Sequence, residues 1–368
     1  MKVAGKHYRS LWADESQGVI HVIDQARLPH VFETATIASA EAMANAIRGM
    51  RVRGAPLIGV AAAFGIALAV GRDPSDESIS RASALLRGTR PTAVNLAWAI
   101  GRMRERLAPV PLSERLVTAW NEAQAIADED VALNEGIGRH GLAILEREYA
   151  ARKRPVNILT HCNAGWIATV DWGTVTAPIF MAHDRGIPIH VWVDETRPRN
   201  QGLLTAWELA GHGVPHTLVT DNAGGHLMQR GLVDLVMVGA DRVSRRGDVC
   251  NKIGTYLKAV AARENDIPFY AAVPTPTIDW GIEDALREIP IEERAEDEVR
   301  IVRGLDAEGR FGEVIIAPRT TRVANPAFDV TPAEFVTAII TEKGVVRATE
   351  KDLLGFWPRN RESKAYLT

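Results

Sequence analysis

From Val156 onward the chain alternates short apolar runs with helix-like segments, and this constrains the fold more than any other feature. Apolar runs at Val156–Thr160, Ile189–Val193, His216–Val219, Val233–Val238 and Phe269–Val273 are separated by helical patterns at 174–185, 203–212, 223–230 and 252–263. A further run, Val314–Ile316, is expected to add a strand. Near-continuous apolar strands are those buried on both faces, and strand–helix alternation places the helices there. The pattern predicts an α/β fold with a doubly wound, mostly parallel, Rossmann-like sheet. Ligands of such sheets bind beyond the carboxyl ends of the strands. A last helix is expected from Thr331-Pro332-Ala333-Glu334, an N-cap with proline at the first position and an acid to close a capping box, ending at Gly344.

The first 150 residues read differently. Tyr8–Trp12, Val19–Ile23 and His30–Glu33 alternate like short antiparallel strands. Helices are expected at 40–50, 55–70, 77–87, 92–107, 113–129 and 131–150. Arg152-Lys153-Arg154-Pro155 then reads as a solvated linker. The expected division is a smaller N-terminal domain of short β-strands and helices, residues 1–150, and a Rossmann-like C-terminal domain, residues 151–368. A chain of 368 residues is long enough for both.

Composition narrows the partners. The net charge is −3, and lysines and arginines are interspersed with acids, so neither a nucleic-acid nor a membrane partner is expected. Cys162 and Cys250 are the only cysteines, which excludes a disulfide framework and a multi-cysteine zinc site. That cysteine usage fits a reducing compartment, and the expected location is cytoplasmic. The segment Met1–His7 lacks the apolar core of a signal peptide. The longest near-apolar run, Ala55–Val70, falls short of the ~20 residues that span a bilayer. No G-x-G-x-x-G follows the first strand of the sheet, and there is no Walker loop or H-E-x-x-H. The histidines do not fall at metal-ligand spacing. No cofactor and no metal are expected.

Polar loops at strand ends carry the candidate chemistry. Asp194–Gly202 hands a strand over to a helix with two arginines, two carboxylates and two amides, groups suited to an anionic, hydroxyl-rich ligand. Thr160–Gly165 places Cys162 just beyond a strand, where amides of the following turn are expected to lower its pKa; the alternative is an inert buried thiol. Val238–Val243 places Asp241 beyond another strand, where burial raises a carboxyl pKa and suits it to acid–base work; the alternative is a cap or an ion pair with Arg242. In Arg246–Thr255, Asn251-Lys252 is expected to open a helix and offer an anion site, with Cys250 as filler. Arg51–Pro56 brings Arg53 and Gly54 to another helix start, and Arg90 precedes a further one. These loops suit a cofactor-free enzyme acting on a phosphorylated small molecule.

Several segments together resemble the signatures of the methylthioribose-1-phosphate isomerases. They are Arg53–Gly59, His161–Gly165, Asp194–Gly202, Gly239–Arg242, Gly247–Tyr256 and Asn325–Pro332. The resemblance covers nearly the whole chain in order, and Asn200-Gln201-Gly202 followed by Leu204–Leu209 resembles this branch of a wider family. That wider family also holds ribose-1,5-bisphosphate isomerases and regulatory subunits of the exchange factor for translation initiation factor two. Leu57 and Cys250 stand where alanine is more usual. The resemblance implies conversion of 5-methylthioribose 1-phosphate to 5-methylthioribulose 1-phosphate in methionine salvage. It implies Cys162 and Asp241 as the catalytic pair, and Arg53, Gly54, Ala55, Arg90, Gln201, Asn251 and Lys252 as substrate-binding residues. It also implies a homodimer. Two alternatives stay open: isomerisation of 5-deoxyribose 1-phosphate or ribose 1,5-bisphosphate, and a non-catalytic regulatory subunit. The C5 pocket is expected around Trp166 or in the N-terminal region.

Overall fold

The computed structural model describes residues 2–90 and 93–356. Pro91 and Thr92, in the Arg90 loop and at the expected start of the fourth helix, lie outside the described residues. The central sheet has seven strands in the order Gly344–Val346, Ala338–Thr341, Phe269–Ala272, Leu235–Val238, Val156–Thr160, Ile189–Asp194 and His216–Val219. All neighbours are parallel except the outermost pair, Ala338–Thr341 with Gly344–Val346. The chain starts in the middle, runs out to His216–Val219, returns, and runs out the other way. The order therefore reverses between Val156–Thr160 and Leu235–Val238, the switch point where α/β sheets open a crevice.

Successive strand residues face opposite helix layers, as the two-residue period requires. Ile158, Leu235 and Met237 join a core with Leu142, Ile179 and Leu209. Their neighbours Leu159, Val236 and Val238 join a second core with Leu227, Ala259 and Ala262. A smaller sheet, Ile278–Asp279, Arg242–Ser244, Val249–Lys252 and Phe328–Thr331, stands beside the switch point.

Within the first 150 residues, Leu11–Asp14, Val19–Ile23 and Thr34–Ile37 pair antiparallel. The third strand begins four residues later than expected, because the amides of His30 and Val31 both turn back to the Arg27 carbonyl. Helix Ala55–Arg72 is buried at every position from Leu57 to Val70, and four helices pack on it. At 18 residues and mean hydropathy 1.7 it is long and apolar enough to cross a membrane, but 78% of it is buried inside the protein. It is the central helix of a packed core.

Four expectations are corrected. Residues 113–129 and 131–150 form one helix, Arg115–Arg152, because Asp130 is satisfied rather than disruptive: its carboxylate accepts the Val170 amide at 2.7 Å. The helix supplies Ala119 and Ile126 to the first core and Ile137 and Leu145 to the next. The basic run after it is not a free linker, since Arg152 and Arg154 both grip buried Asp234, at 3.0 and 2.7 Å. The helix expected from Thr331 to Gly344 is a single turn, Ala333–Phe335, followed by the strand Ala338–Thr341. The capping signal is consumed by Asp248, which accepts the Ala333 amide at 3.0 Å, and β-branched Ile339 and Ile340 pair with Ala271 and Ala272. Val314–Ile316 lies outside the central sheet: Phe311–Ile315 pairs with Ile301–Leu305 in a separate hairpin.

Candidate active site

Cys162 follows the strand Val156–Thr160, and Asp241 follows Leu235–Val238, so the two flank the order reversal. Both keep an edge open to one crevice. Its walls include the whole expected catalytic pair and substrate-binding set: Arg53, Gly54, Ala55, Arg90, Cys162, Gln201, Asp241, Asn251 and Lys252. The crevice, about 70 Å³, adjoins a larger cavity of about 440 Å³ that shares Met50, Arg53 and Gln201 with it.

The Cys162 backbone is held at φ 68°, a left-handed conformation that costs a non-glycine residue energy and persists only where its surroundings enforce it. Two threonines do so. The Cys162 amide donates to Thr196 Oγ1 at 2.8 Å, and Thr205 Oγ1 donates to the Cys162 carbonyl at 2.8 Å. Thr196 is itself fixed, its amide donating to Asp221 Oδ1 at 2.7 Å. The Arg197 amide donates to Asp221 Oδ2, also at 2.7 Å.

Arg53 reaches the crevice floor by hydrogen-bonding its fork to Asn163. Nη1 donates to Asn163 Oδ1, and Nη2 donates to the Asn163 carbonyl at 2.8 Å. Next to it, Gly54 starts the buried helix at φ 100°, and a Cβ there would stand 2.3 Å from the Ala168 carbonyl oxygen. Only glycine lets this helix start press against the loop behind Cys162. No side chain caps the helix, and Gly54 and Ala55 line the crevice, so its positive end faces the ligand space.

Asn251 and Lys252 end the strand Val249–Lys252 rather than opening a helix. The next helix begins at Thr255, and its anion seat is already taken: Asp329 accepts the Gly254 amide at 2.7 Å and the Tyr256 amide at 3.1 Å. Lys252 serves the crevice through its own ammonium, which lies 4.5 Å from the Phe328 ring centroid. Arg90 reaches Glu292 at 3.4 Å, and Arg242 pairs with Asp279 at 3.5 Å. The two arginines of the Asp194–Gly202 loop do not converge on the crevice floor. Arg197 donates to the Val299 carbonyl and Arg199 to Glu298, each at 2.8 Å.

Burial dominates the electrostatics. It pushes the Cys162 thiol above its ordinary range, more than Lys252, Arg53 and the Asn163 amide pull it down. The expected lowering by turn amides is therefore overturned. Burial likewise raises Asp241 against the pull of Lys252, Arg90 and Arg53. The same desolvation lowers Lys252. The arrangement gathers a carboxyl that burial makes harder to ionise, a thiol and the cations Arg53, Arg90 and Lys252 around one cleft. Beside it, His161, Asp194 and Asp221 cluster closely enough to hold a metal ion. The Lys258 ammonium, 3.1 Å from Asp194, supplies positive charge there.

Sequence reading missed Thr196, Thr205 and Glu208, which stand behind the crevice wall, and the part played by Asn163, which lines it. A signal was available for Glu208. Gln201, Leu204, Thr205, Glu208 and Leu209 form one buried stripe at helical spacing, so Glu208 sits on the inward face.

Residues 51–348 match the initiation factor 2 subunit family. The methylthioribose-1-phosphate isomerase of Rhodospirillum rubrum is 58% identical, over 97% of this chain and 94% of its own length. The crystal structure of 5-methylthioribose 1-phosphate isomerase from Pyrococcus horikoshii superposes with a TM-score of 0.83 at 41% identity, covering 96% of this chain and 97% of that one. That of translation initiation factor eIF-2B, subunit delta, from A. fulgidus gives 0.76 at 40%, covering 93% and 96%. The chain belongs to the initiation factor 2 subunit family, in its methylthioribose-1-phosphate isomerase branch.

Proposed function

We propose that this chain isomerises 5-methylthio-α-D-ribose 1-phosphate to 5-methylthio-D-ribulose 1-phosphate and so serves methionine salvage; its relatives are named methylthioribose-1-phosphate isomerases. The observation that carries the reading is the meeting of Cys162 and Asp241, from two different strand ends, in one crevice walled by Arg53, Arg90 and Lys252. The uncapped start of helix Ala55–Arg72, with Arg90, Asn251 and Lys252 around it, suits the C1 phosphate. The apolar side of the larger cavity, Leu28, Met50, Leu203 and Leu204, suits the methylthio group at C5. Trp166, buried and stacked on Trp207, lines neither cavity. The reading includes a cytoplasmic homodimer without cofactor, metal, nucleic-acid or membrane partner.

The phosphate on C1 removes the free anomeric hydroxyl through which aldoses normally open. The ring must instead break between C1 and the ring oxygen, with the phosphate in place. Asp241, whose pKa burial raises, donates to the ring oxygen as that bond breaks. Hydrogen then moves from C2 to C1, and the C2 hydroxyl loses its proton as the ketone forms. In one route Cys162 takes the C2 proton and an enol is reprotonated at C1. In the other the hydrogen crosses as hydride while Cys162 and its neighbours shape the cation.

The test is a phosphorus NMR time course of the protein with 5-methylthioribose 1-phosphate and no added cofactor. Replacement of the anomeric phosphate signal by that of a primary ketose phosphate is expected. No turnover of this or other C1-phosphorylated pentoses by folded protein would favour the regulatory reading, for which the similarity to the A. fulgidus chain is the specific observation. Substrate deuterated at C2 then separates the routes: full retention at C1 rules out a freely exchanging thiolate base.

A further inference from the structure

Glu208 touches neither cavity, yet it is wired to the crevice floor. It is 3% exposed. Its Oε1 accepts Asn163 Nδ2 at 3.0 Å and the Ile167 amide at 3.3 Å. Its Oε2 accepts the Trp166 amide at 2.7 Å. The loop runs directly over the carboxylate: a Cβ on Gly165 would stand 1.9 Å from Oε2. On its other side Asn163 meets Arg53, with Oδ1 accepting Nη1 and the carbonyl accepting Nη2.

An asparagine amide has two ends, and only one orientation serves here. Burial pushes the Glu208 carboxyl up to about 7, but Oε1 already faces two N–H groups and accepts there in either protonation state, whereas a guanidinium donates and never accepts. Glu208 therefore turns Asn163 Nδ2 toward itself and leaves Oδ1 facing Arg53. Without it, the amide can flip and present N–H groups to the guanidinium. Thr205, one helical turn before Glu208, also takes Asn163 Nδ2, at 3.1 Å, while holding the Cys162 carbonyl. One helix face thus steers both the crevice arginine and the crevice thiol.

We propose that Glu208 is a positioning residue for the isomerase: by fixing the amide of Asn163 it holds Arg53 on the Cys162 side of the crevice. The inference rests on the function proposed above for its kinetic consequence, but not for its electrostatic one. Arg53 is among the charges that pull the Cys162 thiol down, so an arginine let loose leaves the thiol higher still.

Glu208→Gln keeps the volume and places an NH2 group against amide donors. Two measurements on the full chain test the proposal. In isomerisation assays the variant is expected to lose about 10- to 100-fold in kcat/KM, the usual cost of misplacing a crevice group. Added to Arg53→Ala, the same change is expected to cost nothing more, because its effect runs through Arg53. Losses that multiply, or a folded Glu208→Gln protein at the wild-type rate, would overturn it. In the second measurement, iodoacetamide alkylation of Cys162 is followed against pH in a Cys250→Ala background. Glu208→Gln and Arg53→Ala are expected to shift the alkylation midpoint upward alike. An unmoved midpoint in Glu208→Gln overturns the proposal whether or not the chain turns over the sugar phosphate. A wild-type protein without isomerase activity but with shifted midpoints in both variants would count against the proposed function alone. Asn163→Ala, which removes the middle link, is expected to reproduce both effects, and guards against a Glu208→Gln protein that does not fold.

Discussion

Helix Ala55–Arg72 passes through two environments that follow opposite physical rules. From Leu57 to Val70 it is enclosed by apolar side chains, and each large residue there contributes roughly 1.5–3 kcal/mol by leaving water. At its start, Gly54 and Ala55 face a crevice where Arg53, Cys162, Asp241 and Lys252 are all displaced by burial from their ordinary protonation behaviour. Cys162 and Thr196 also hold left-handed backbone there. The comparison teaches where this fold concentrates its cost. The apolar helix stabilises; the crevice a few residues away spends part of that stability on buried charge and strain, as sites that must change protonation behaviour do.

The largest expected effect breaks chemistry without breaking the fold. Asp241→Asn and Cys162→Ser are each expected to lower kcat by about 10²- to 10⁴-fold, the span of a general acid or base contribution. Their melting temperatures should stay at or above the wild-type value, because Asp241→Asn removes a group that burial disfavours when charged and Cys162→Ser is nearly isosteric. Turnover at the wild-type rate in either would remove that residue from the proposed pair. The converse experiment is Phe64→Ala, in the middle of the same helix and fully buried. It should cost about 3–5 kcal/mol in denaturant unfolding. Activity per folded molecule should stay unchanged. If that activity falls tenfold, the core and the crevice are coupled and the contrast between them fails.

Much of this contrast was legible in the sequence. Apolar runs ending at Thr160 and Val238 marked the two strand ends that carry the catalytic candidates, and all nine selected residues meet in one crevice. What could not be read depended on contacts distant in sequence. The capping signal at Thr331 is a sound local signal, but the Ala333 amide it would have organised goes to Asp248, 85 residues before Ala333. Asn251-Lys252 read as a helix start, but register with Phe328 makes Lys252 a strand end, and Asp329 in that partner strand fills the helix terminus. The turn after Cys162 has amides, yet burial decides the thiol, and burial is a property of the assembled sheet. Glu208 lay on a readable stripe; its meaning came only with Asn163 and Arg53 beside it.

The smallest expected effect sharpens the comparison, because Asp130 is a buried carboxylate that lines no part of the crevice. It lies 6% exposed within helix Arg115–Arg152, and burial pushes its pKa up to about 7, against hydrogen bonds from Val170 and Asn134 that pull it down. An unfolded aspartate has a pKa of about 3.9. Between those values the folded chain binds a proton that the unfolded chain has released, so stability falls as pH rises through about 4 to 7. Above that window the folded protein carries the full cost of a buried, ionised Asp130. Asp130→Asn removes the titration while its side-chain oxygen still accepts the Val170 amide. The variant should match wild type in stability near pH 4, and exceed it at pH 8 by about 2 kcal/mol, at roughly 1.4 kcal/mol per unit and discounted for relaxation. Turnover should not change at either pH. Equal stability at pH 8 would mean that the core tolerates this charge as the crevice tolerates its own. Lost turnover would mean that the proton on Asp130 belongs to the chemistry, and the division between stabilising core and costly crevice would have to be drawn elsewhere.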